Sequence, residues 1–466
     1  MNGNFEVIKK ILNTNDAEQI TTTVENFQLI EMPDQVVEYV AEKLLTDDNG
    51  VKDTITRILI KNKNKNIPKY IVKYISSENI AARNLAGEIL ICRGVQSIDA
   101  MLNNLPNAND DDQKFIIDIL GLIGDPKPAQ EIINVLKYTR DENVILACVE
   151  AMGNIKSDFG LDQLIKVYEQ NELFRPTVIE AFGKIGTPAC VDFINQNYYG
   201  VDELTKYSLI ESLGIIGNEN SFNMLIDDLK HLDNAYKWVA IETIGKLKEK
   251  LSLELPVDAG LKNALLETLE TADNEYKKSA VKLVILFDDE ELFEKVLTVY
   301  GNDDEIDNKL KEYFASNLVT FLKKCSKYLI NEPKNIKETL NLLKEMIQID
   351  GGISLQALDQ MELRAFVEQF TVQLNNPDEE VRAMAMELLF FLDIETAIMF
   401  SDVMLEDTVS WNRLRLLDII QFSDQPEIVE IIKKLTEDDD ELVKENAQSI
   451  LNERGISNLE LKDNKC

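Results

Sequence analysis

The chain has 466 residues, and its 83 acidic against 49 basic side chains give a net charge of −34 with the single histidine neutral. So acidic a chain repels phosphate, which disfavours nucleic acid and anionic lipid as partners and favours a protein partner with a basic surface. Apolar residues make up 45%, no apolar run is long enough to span a membrane, and no basic leader opens the chain. The composition predicts a folded cytoplasmic protein.

From the N-terminus to about residue 250, one apolar position recurs every 30–32 residues. These reference positions are Val24, Ile55, Ala86, Ile116, Cys148, Val178, Leu209 and Ala240. In all but the first repeat another apolar residue follows four positions later, which is the stripe of an amphipathic helix. A period near 31 has room for two helices of about 12 residues and their turns. The sequence therefore predicts an all-α fold, an α-solenoid of stacked antiparallel helix pairs.

Glycine recurs at two phases of the second helix in each pair. Inside the helix the positions are Gly121, Gly153, Gly183, Gly214 and Gly245. Because such a glycine costs about 1 kcal/mol relative to alanine, this set predicts close approach between neighbouring helices. After the helix the positions are Gly124, Gly186 and Gly217. These are expected to adopt the left-handed conformation of a helix C-cap.

The stretch Leu120-Gly121-Leu122-Ile123-Gly124-Asp125-Pro126, with Ala129-Gln130-Glu131-Ile132-Ile133 after it, resembles the HEAT repeat. The resemblance is to the short form in phycobilisome-lyase-like HEAT proteins, and it covers about 18–248 well and about 376–455 moderately. Only Val381-Arg382 keeps the Val-Arg pair typical of the second helix. The resemblance implies that second helices line the inner curve of a superhelix. It implies either a protein scaffold or a HEAT-like enzyme such as a bilin lyase, although no lyase-specific residue matches.

Beyond Lys250 the spacing slips to 40 residues, from Ala240 to Ala280. Regular spacing returns at Ala385, Leu416 and Ala447. We therefore predict five segments: N-terminal helical capping repeats 1–62, a regular array 63–250, an irregular helical middle 251–375, C-terminal repeats 376–455 and a polar tail 456–466.

An acidic residue lies two positions after the reference position in six consecutive repeats. The column consists of Glu88, Asp118, Glu150, Glu180, Glu211 and Glu242. Two residues are roughly 200° around a helix, so the column points away from the buried stripe. We predict either an acidic ladder for a basic partner or ordinary exposed acids paired within the helix, as in Glu180–Lys184 and Glu242–Lys246. Tyr207 and Trp238 are possible aromatic anchors near the same face.

Residues 54–77 carry a net positive charge in this acidic chain, with six basic residues and no acid. They are Arg57, Lys61, Lys63, Lys65, Lys69 and Lys73. This basic patch either docks an acidic partner or faces acidic loops of the same protein. Nucleic acid is a further alternative, but the interleaved aromatics and motifs of nucleic-acid modules are missing.

Nothing in the sequence predicts catalytic residues, a cofactor or a metal site. The chain has one histidine, His231, and no Cys-x-x-Cys or phosphate-binding loop. The repeated His-Glu ligands of HEAT-like di-iron hydroxylases are absent. Cys148 occupies a reference position, where a buried thiol is expected. We predict a protein that is not an enzyme; its partner and its oligomeric state do not follow from these residues.

Overall fold

The computed structural model describes residues 2–331, 333–423 and 425–455, in which every regular element is helical. The predicted polar tail 456–466 lies outside the described residues. The chain divides into two compact units, Met1–Pro256 and Val257–Cys466, which are described separately. The five-segment division of the sequence stays a prediction.

The α-helices of the first unit alternate between the first and second helix of each repeat. They are α1 Asn2–Leu12, α2 Ala17–Glu25, α3 Asp34–Glu42, α4 Asn49–Lys61, α5 Ile67–Ile71, α6 Ile80–Arg93, α7 Ile98–Asn104, α8 Asp110–Ile123, α9 Ala129–Tyr138, α10 Glu142–Ile155, α11 Leu161–Gln170, α12 Arg175–Ile185, α13 Pro188–Gln196, α14 Glu203–Ile216, α15 Glu219–Asp228 and α16 Asn234–Leu251. Short 3-10 turns extend or join them at Lys43–Leu45, Val72–Ser76, Gly94–Ser97, Leu105–Asn107, Glu172–Phe174 and Leu229–His231.

Each even-numbered helix of this unit, from α2 to α16, packs on the even-numbered helix of the next repeat. The helices α1, α3 and α5 pack in the same way in a second layer. All eight reference positions lie on the even-numbered helices, and none is more than 2% exposed. The predicted α-solenoid of stacked HEAT-type helix pairs is therefore confirmed for this unit. The narrower resemblance to phycobilisome-lyase-like repeats is not confirmed.

The second unit repeats this arrangement with longer insertions. Its helices are α17 Ala259–Thr271, α18 Asn274–Val284, α19 Glu290–Val299, α20 Asp304–Ser316, α21 Leu318–Ile330, α22 Ile336–Ile349, α23 Gln360–Gln373, α24 Glu379–Leu392, α25 Ile394–Met399, α26 Ser401–Leu405, α27 Ser410–Ile420, α28 Pro426–Leu435 and α29 Glu441–Glu453, with a 3-10 turn at Ile353–Ala357. One layer stacks α18, α20, α22, α24, α27 and α29 in order, and a second stacks α17, α19, α21 and α23. The reference positions Ala280, Ala385, Leu416 and Ala447 are fully buried in the first of these layers.

The glycines inside the helices mark the closest contacts between second helices. A Cβ on Gly121 would lie 2.8 Å from the Cα of Ala151 in the next second helix, and one on Gly153 would lie 2.9 Å from the Cα of Ala181. The predicted close approach is confirmed at these two positions. The second helices are less close toward the end of the unit, where a Cβ on Gly214 would come no closer than 3.4 Å to its neighbours.

The glycines after the helices behave in two different ways. Gly124 and Gly186 have φ of 70° and 76°, so the predicted left-handed caps are confirmed there. The prediction is wrong for Gly217, whose φ is −54°. Glycine is required there for space, because a Cβ would lie 2.4 Å from the carbonyl oxygen of Leu213.

Two arginine–aspartate pairs, in which Arg413 is buried and the other three residues are half-buried, connect the last repeats of the second unit. Arg382 donates to both carboxylate oxygens of Asp407 at 2.8 Å, and Arg413 donates to Asp438 at 2.7 and 2.8 Å. Burial alone would raise the pKa of Asp407, but the hydrogen bonds from Arg382 and the Val409 N–H hold that pKa below its ordinary value. Burial would also raise the pKa of Asp438, but the hydrogen bonds from Arg413 and the Asp440 N–H, together with the Arg413 charge, hold that pKa below its ordinary value.

Because the pKa values of Asp407 and Asp438 are lowered in the folded protein, we predict that their contribution to stability is lost in acid. A carboxylate whose pKa is depressed in the folded state stabilises the fold above its unfolded pKa of about 3.9, and that contribution disappears as the pH falls through the folded pKa. Replacing Asp407 and Asp438 by asparagine is expected to cost about 1–3 kcal/mol for each pair at neutral pH. Urea unfolding from pH 7 to 2.5 should show this difference shrinking below about pH 4. A difference that stays constant over the whole range would contradict the assignment.

Candidate functional site

The acidic ladder lies on six successive second helices, α6, α8, α10, α12, α14 and α16. Glu88, Glu150, Glu180 and Glu211 are exposed, whereas Asp118 and Glu242 are half-exposed. Because each of these helices packs on the next, the acids stand on neighbouring helices, whose axes are typically about 8–10 Å apart. The predicted column thus lies on six stacked helices of the first unit.

The members of the ladder differ in how far they are neutralised. Asp118 pairs with Lys114 at 2.7 Å, and Glu242 pairs with Lys246 at 2.7 Å, as the sequence predicted for the second pair. Within the described part of the chain, Glu88, Glu150 and Glu180 form no ion pair. Three ladder carboxylates therefore keep their full charge toward solvent.

Glu180 and Lys184 do not form the ion pair that one interpretation of the sequence predicted. The Lys184 ammonium instead donates to the side-chain oxygen of Asn154 on the preceding second helix, at 2.9 Å. The reason is the close approach at Gly153, where a Cβ would lie 3.4 Å from Cδ of Lys184. Since the two helices are so close, the lysine reaches across the helix interface and leaves Glu180 unneutralised.

Exposed apolar side chains stand one helical turn beyond two of the ladder acids, and the sequence analysis missed them. Leu122 follows Asp118 by four residues, Ile215 follows Glu211 by four, and each apolar side chain is 64% exposed. The same position in the other four ladder repeats holds Cys92, Asn154, Lys184 and Lys246, so the sequence shows no regular apolar column there. Carboxylates with two exposed apolar side chains beside them suit a basic segment that also carries apolar side chains.

The possible anchors, Tyr207 on α14 and Trp238 on α16, are both half-buried. The Tyr207 hydroxyl donates to the Glu211 carboxylate at 3.0 Å, so this aromatic ring and a ladder acid form one local unit. Two residues of the C-terminal array continue the ladder pattern in sequence, Glu387 and Asp418. Glu387 is already paired with Lys344 and Arg415, so its charge is satisfied within the second unit.

The basic patch of the first unit is only partly neutralised. Arg57 pairs with Glu25 at 2.9 Å, and Lys73 lies 4.0 Å from Glu38. The other four members, Lys61, Lys63, Lys65 and Lys69, are exposed, and none forms an ion pair with any residue that the structure describes. Arg57 and Lys73 therefore pair with carboxylates on the helices α2 and α3 rather than with acidic loops, and the four central lysines have neither kind of partner in the part of the chain that the structure describes.

The potentially reactive side chains are placed in ordinary structural roles. Cys148 is completely buried, as predicted, and burial raises the pKa of its thiol to about 12. His231 is exposed beside the turn before α16. Among the described residues, no three His, Cys, Asp or Glu side chains are arranged to hold a metal ion. None of the described helices combines the length and the apolar content that crossing a bilayer requires.

Comparisons with known proteins give structural likeness without a sequence relative. No protein-family model matches the chain, and no curated protein matches it. The solved structures similar to it include importin beta in a polyethylene glycol condition, with 10% identity, a TM-score of 0.47, and 97% of this chain and 77% of that one covered. Another is Kap121p bound to Pho4p, with 11% identity, a TM-score of 0.41, and 96% and 66% covered. At these TM-scores the likeness supports no conclusion about what this chain binds.

Proposed function

We propose that this protein is a non-enzymatic, cytoplasmic scaffold that holds a protein partner on the acidic ladder of its first unit. The partner would present a lysine- or arginine-rich segment with interspersed apolar side chains. Each repeat adds one strip of surface, and the affinity is the sum of several strips engaged together. Tyr207 and Trp238 would contact the apolar part of that segment.

The observation that carries this proposal is the run of exposed carboxylates without ion pairs at Glu88, Glu150 and Glu180. In a chain of net charge −34 these acids are not offset by their surroundings, so the field steers a cationic partner toward them. The adjacent exposed Leu122 and Ile215 supply the apolar contacts that salt bridges at a wet surface do not provide.

Capture of proteins from native lysate tests the proposal. We expect the variant Glu150→Gln, Glu180→Gln, Glu211→Gln to capture about tenfold less of one protein than the unmodified chain does. The reason is that three exposed charge contacts are worth roughly 0.5 kcal/mol each. The control variant Glu131→Gln, Glu169→Gln, Glu219→Gln removes the same charge from exposed positions on α9, α11 and α15. If no captured protein distinguishes the two variants, the ladder is not a binding surface.

A further inference from the structure

Lysine and asparagine alternate over the last residue of α4 and the loop that leads to α5, Lys61-Asn62-Lys63-Asn64-Lys65-Asn66. The burial alternates with the sequence: the three lysines are exposed, Asn62 and Asn64 are buried, and Asn66 is half-buried. The corresponding loops after α8 and α12 begin with glycine instead. This loop, which we call the lysine loop, is therefore shaped by its side chains.

The asparagines fix the lysine loop from the inside. The Asn62 side-chain oxygen accepts from the Met32 N–H at 3.0 Å and from the Asn64 N–H at 3.1 Å. The Asn64 amide donates to the Met32 carbonyl and to Asp34, each at 2.7 Å, and its oxygen accepts from the Asn66 N–H at 2.7 Å. Each asparagine thus orders the next, and the network leaves the loop one conformation.

A buried arginine from the next second helix clamps the same backbone. Arg93, at the end of α6, donates to the carbonyl oxygens of Asn62 at 3.0 Å and Asn64 at 2.5 Å, and to that of Leu59 at 2.6 Å. Three buried polar side chains therefore hold a stretch of backbone whose outward residues are all lysine. Ordering a loop before binding removes the entropy cost that a flexible lysine cluster would meet on binding.

A second lysine cluster in the chain, in contrast to the lysine loop, is neutralised. Lys323, Lys324 and Lys327 pair with Glu362, Asp288 and Glu290 respectively. In the lysine loop and the helix after it, Lys61, Lys63, Lys65 and Lys69 have no such carboxylate among the described residues. A rigid, exposed, unneutralised cation row in a chain of net charge −34 has the features of a binding surface.

We propose that the lysine loop docks an acidic segment of another protein, one whose carboxylates alternate along an extended strand. The three lysines alternate with asparagines that are buried or half-buried, so their charges lie at every second residue on the outer side of the lysine loop. A segment with carboxylates at every second residue offers them partners at the same interval along its sequence. Nucleic acid is the less suitable occupant, because the acidic body of the chain repels a polyphosphate that extends beyond the loop. This surface is separate from the acidic ladder and does not depend on it.

Fluorescence anisotropy with labelled peptides tests this proposal. The probe is the peptide Glu-Ser-Glu-Ser-Glu-Ser-Glu, compared with its glutamine analogue and with a peptide that has the same four glutamates in one block. We expect the alternating peptide to bind the full chain at low salt, and the variant Lys61→Gln, Lys63→Gln, Lys65→Gln to weaken that binding about tenfold, at roughly 0.5 kcal/mol for each lost contact. The glutamine analogue should not bind.

The matched control is Lys137→Gln, Lys166→Gln, Lys230→Gln, which removes the same charge from exposed positions on α9, on α11 and in the turn after α15. It should change the affinity less than twofold. The proposal is overturned if both triple variants weaken binding equally, if the alternating peptide does not bind, or if the block peptide binds as tightly. It is also overturned if a single-stranded oligonucleotide binds the lysine loop more tightly than the peptide.

Discussion

Replacing Gly121 by alanine is expected to destabilise the first unit, although alanine is the better helix former. The added Cβ would lie 2.8 Å from Cα and 2.9 Å from Cβ of Ala151, and the first of these atoms is backbone that cannot rotate away. The helices α8 and α10 would have to separate. Overpacking of this kind costs about 1–3 kcal/mol, which outweighs the gain of about 1 kcal/mol in helix propensity. Urea unfolding and hydrogen exchange along α8 and α10 would measure the loss.

The same substitution at Gly214 provides the matched control, with the opposite sign. A Cβ there would meet Thr243 and Lys246 at 3.4 Å, an ordinary contact distance, and the lysine end can move. Gly214→Ala should therefore be neutral or stabilise the unit by up to about 1 kcal/mol. If both variants were stabilised equally, close approach would not be the reason for glycine at Gly121.

The repeat period was sufficient to predict which residues are buried and which helices stack. Twelve reference positions, from Val24 to Ala447, follow from the sequence, eleven of them in regularly spaced repeats, and every one is buried on a helix of the second-helix layer. This success has a physical cause: in a solenoid each repeat contacts only its neighbours, so one local pattern specifies the whole packing scheme. The acidic column was found for the same reason, because it keeps a constant offset from the buried stripe.

The failures lie where a side chain reaches between repeats or where the backbone departs from the pattern. Lys184 was expected to bind its own helix and instead crosses to Asn154, which depends on how closely α10 and α12 approach. Gly217 follows its helix as Gly186 does and is equally close in sequence to the next helix, yet its φ is −54° and that of Gly186 is 76°. The alternation of Asn62 and Asn64 with lysine was visible in the sequence, but their buried partners come from an earlier repeat, 30–35 residues away.

Replacing Arg93 by methionine is expected to cause the largest loss of stability among single changes outside the helix interfaces. Its guanidinium is buried, and its hydrogen-bond partners in the preceding repeat are backbone carbonyl oxygens at the end of α4 and in the lysine loop. A positive charge also suits the negative end of the helix dipole there. Methionine fills the space but leaves these oxygens buried without donors, which should cost about 3 kcal/mol. Chemical unfolding would measure this loss in the free energy of unfolding.

Arg83→Met is the control for this change. Arg83 is half-exposed; it donates to one carbonyl oxygen, that of Asp111, at 3.2 Å, lies 3.6 Å from the Asp112 carboxylate and covers the Phe115 ring. Its loss should cost about 1–2 kcal/mol, less than that of Arg93. Arg93→Lys, which keeps the charge but has fewer donors, should fall between the two. Equal losses for Arg83→Met and Arg93→Met would show that the carbonyl clamp does not stabilise the fold.

The Arg93 variants also distinguish two contributions to docking, the charge of the loop lysines and the fixed arrangement of the loop that carries them. In folded Arg93→Met all of the loop lysines remain, but Asn62 and Asn64 lose the donor that holds their carbonyl oxygens. If preorganisation contributes to docking, affinity for the alternating acidic peptide should fall about three- to fivefold, less than the loss from neutralising three lysines. An unchanged affinity would mean that the asparagine network alone orders the lysine loop, and that Arg93 serves only the stability of the array.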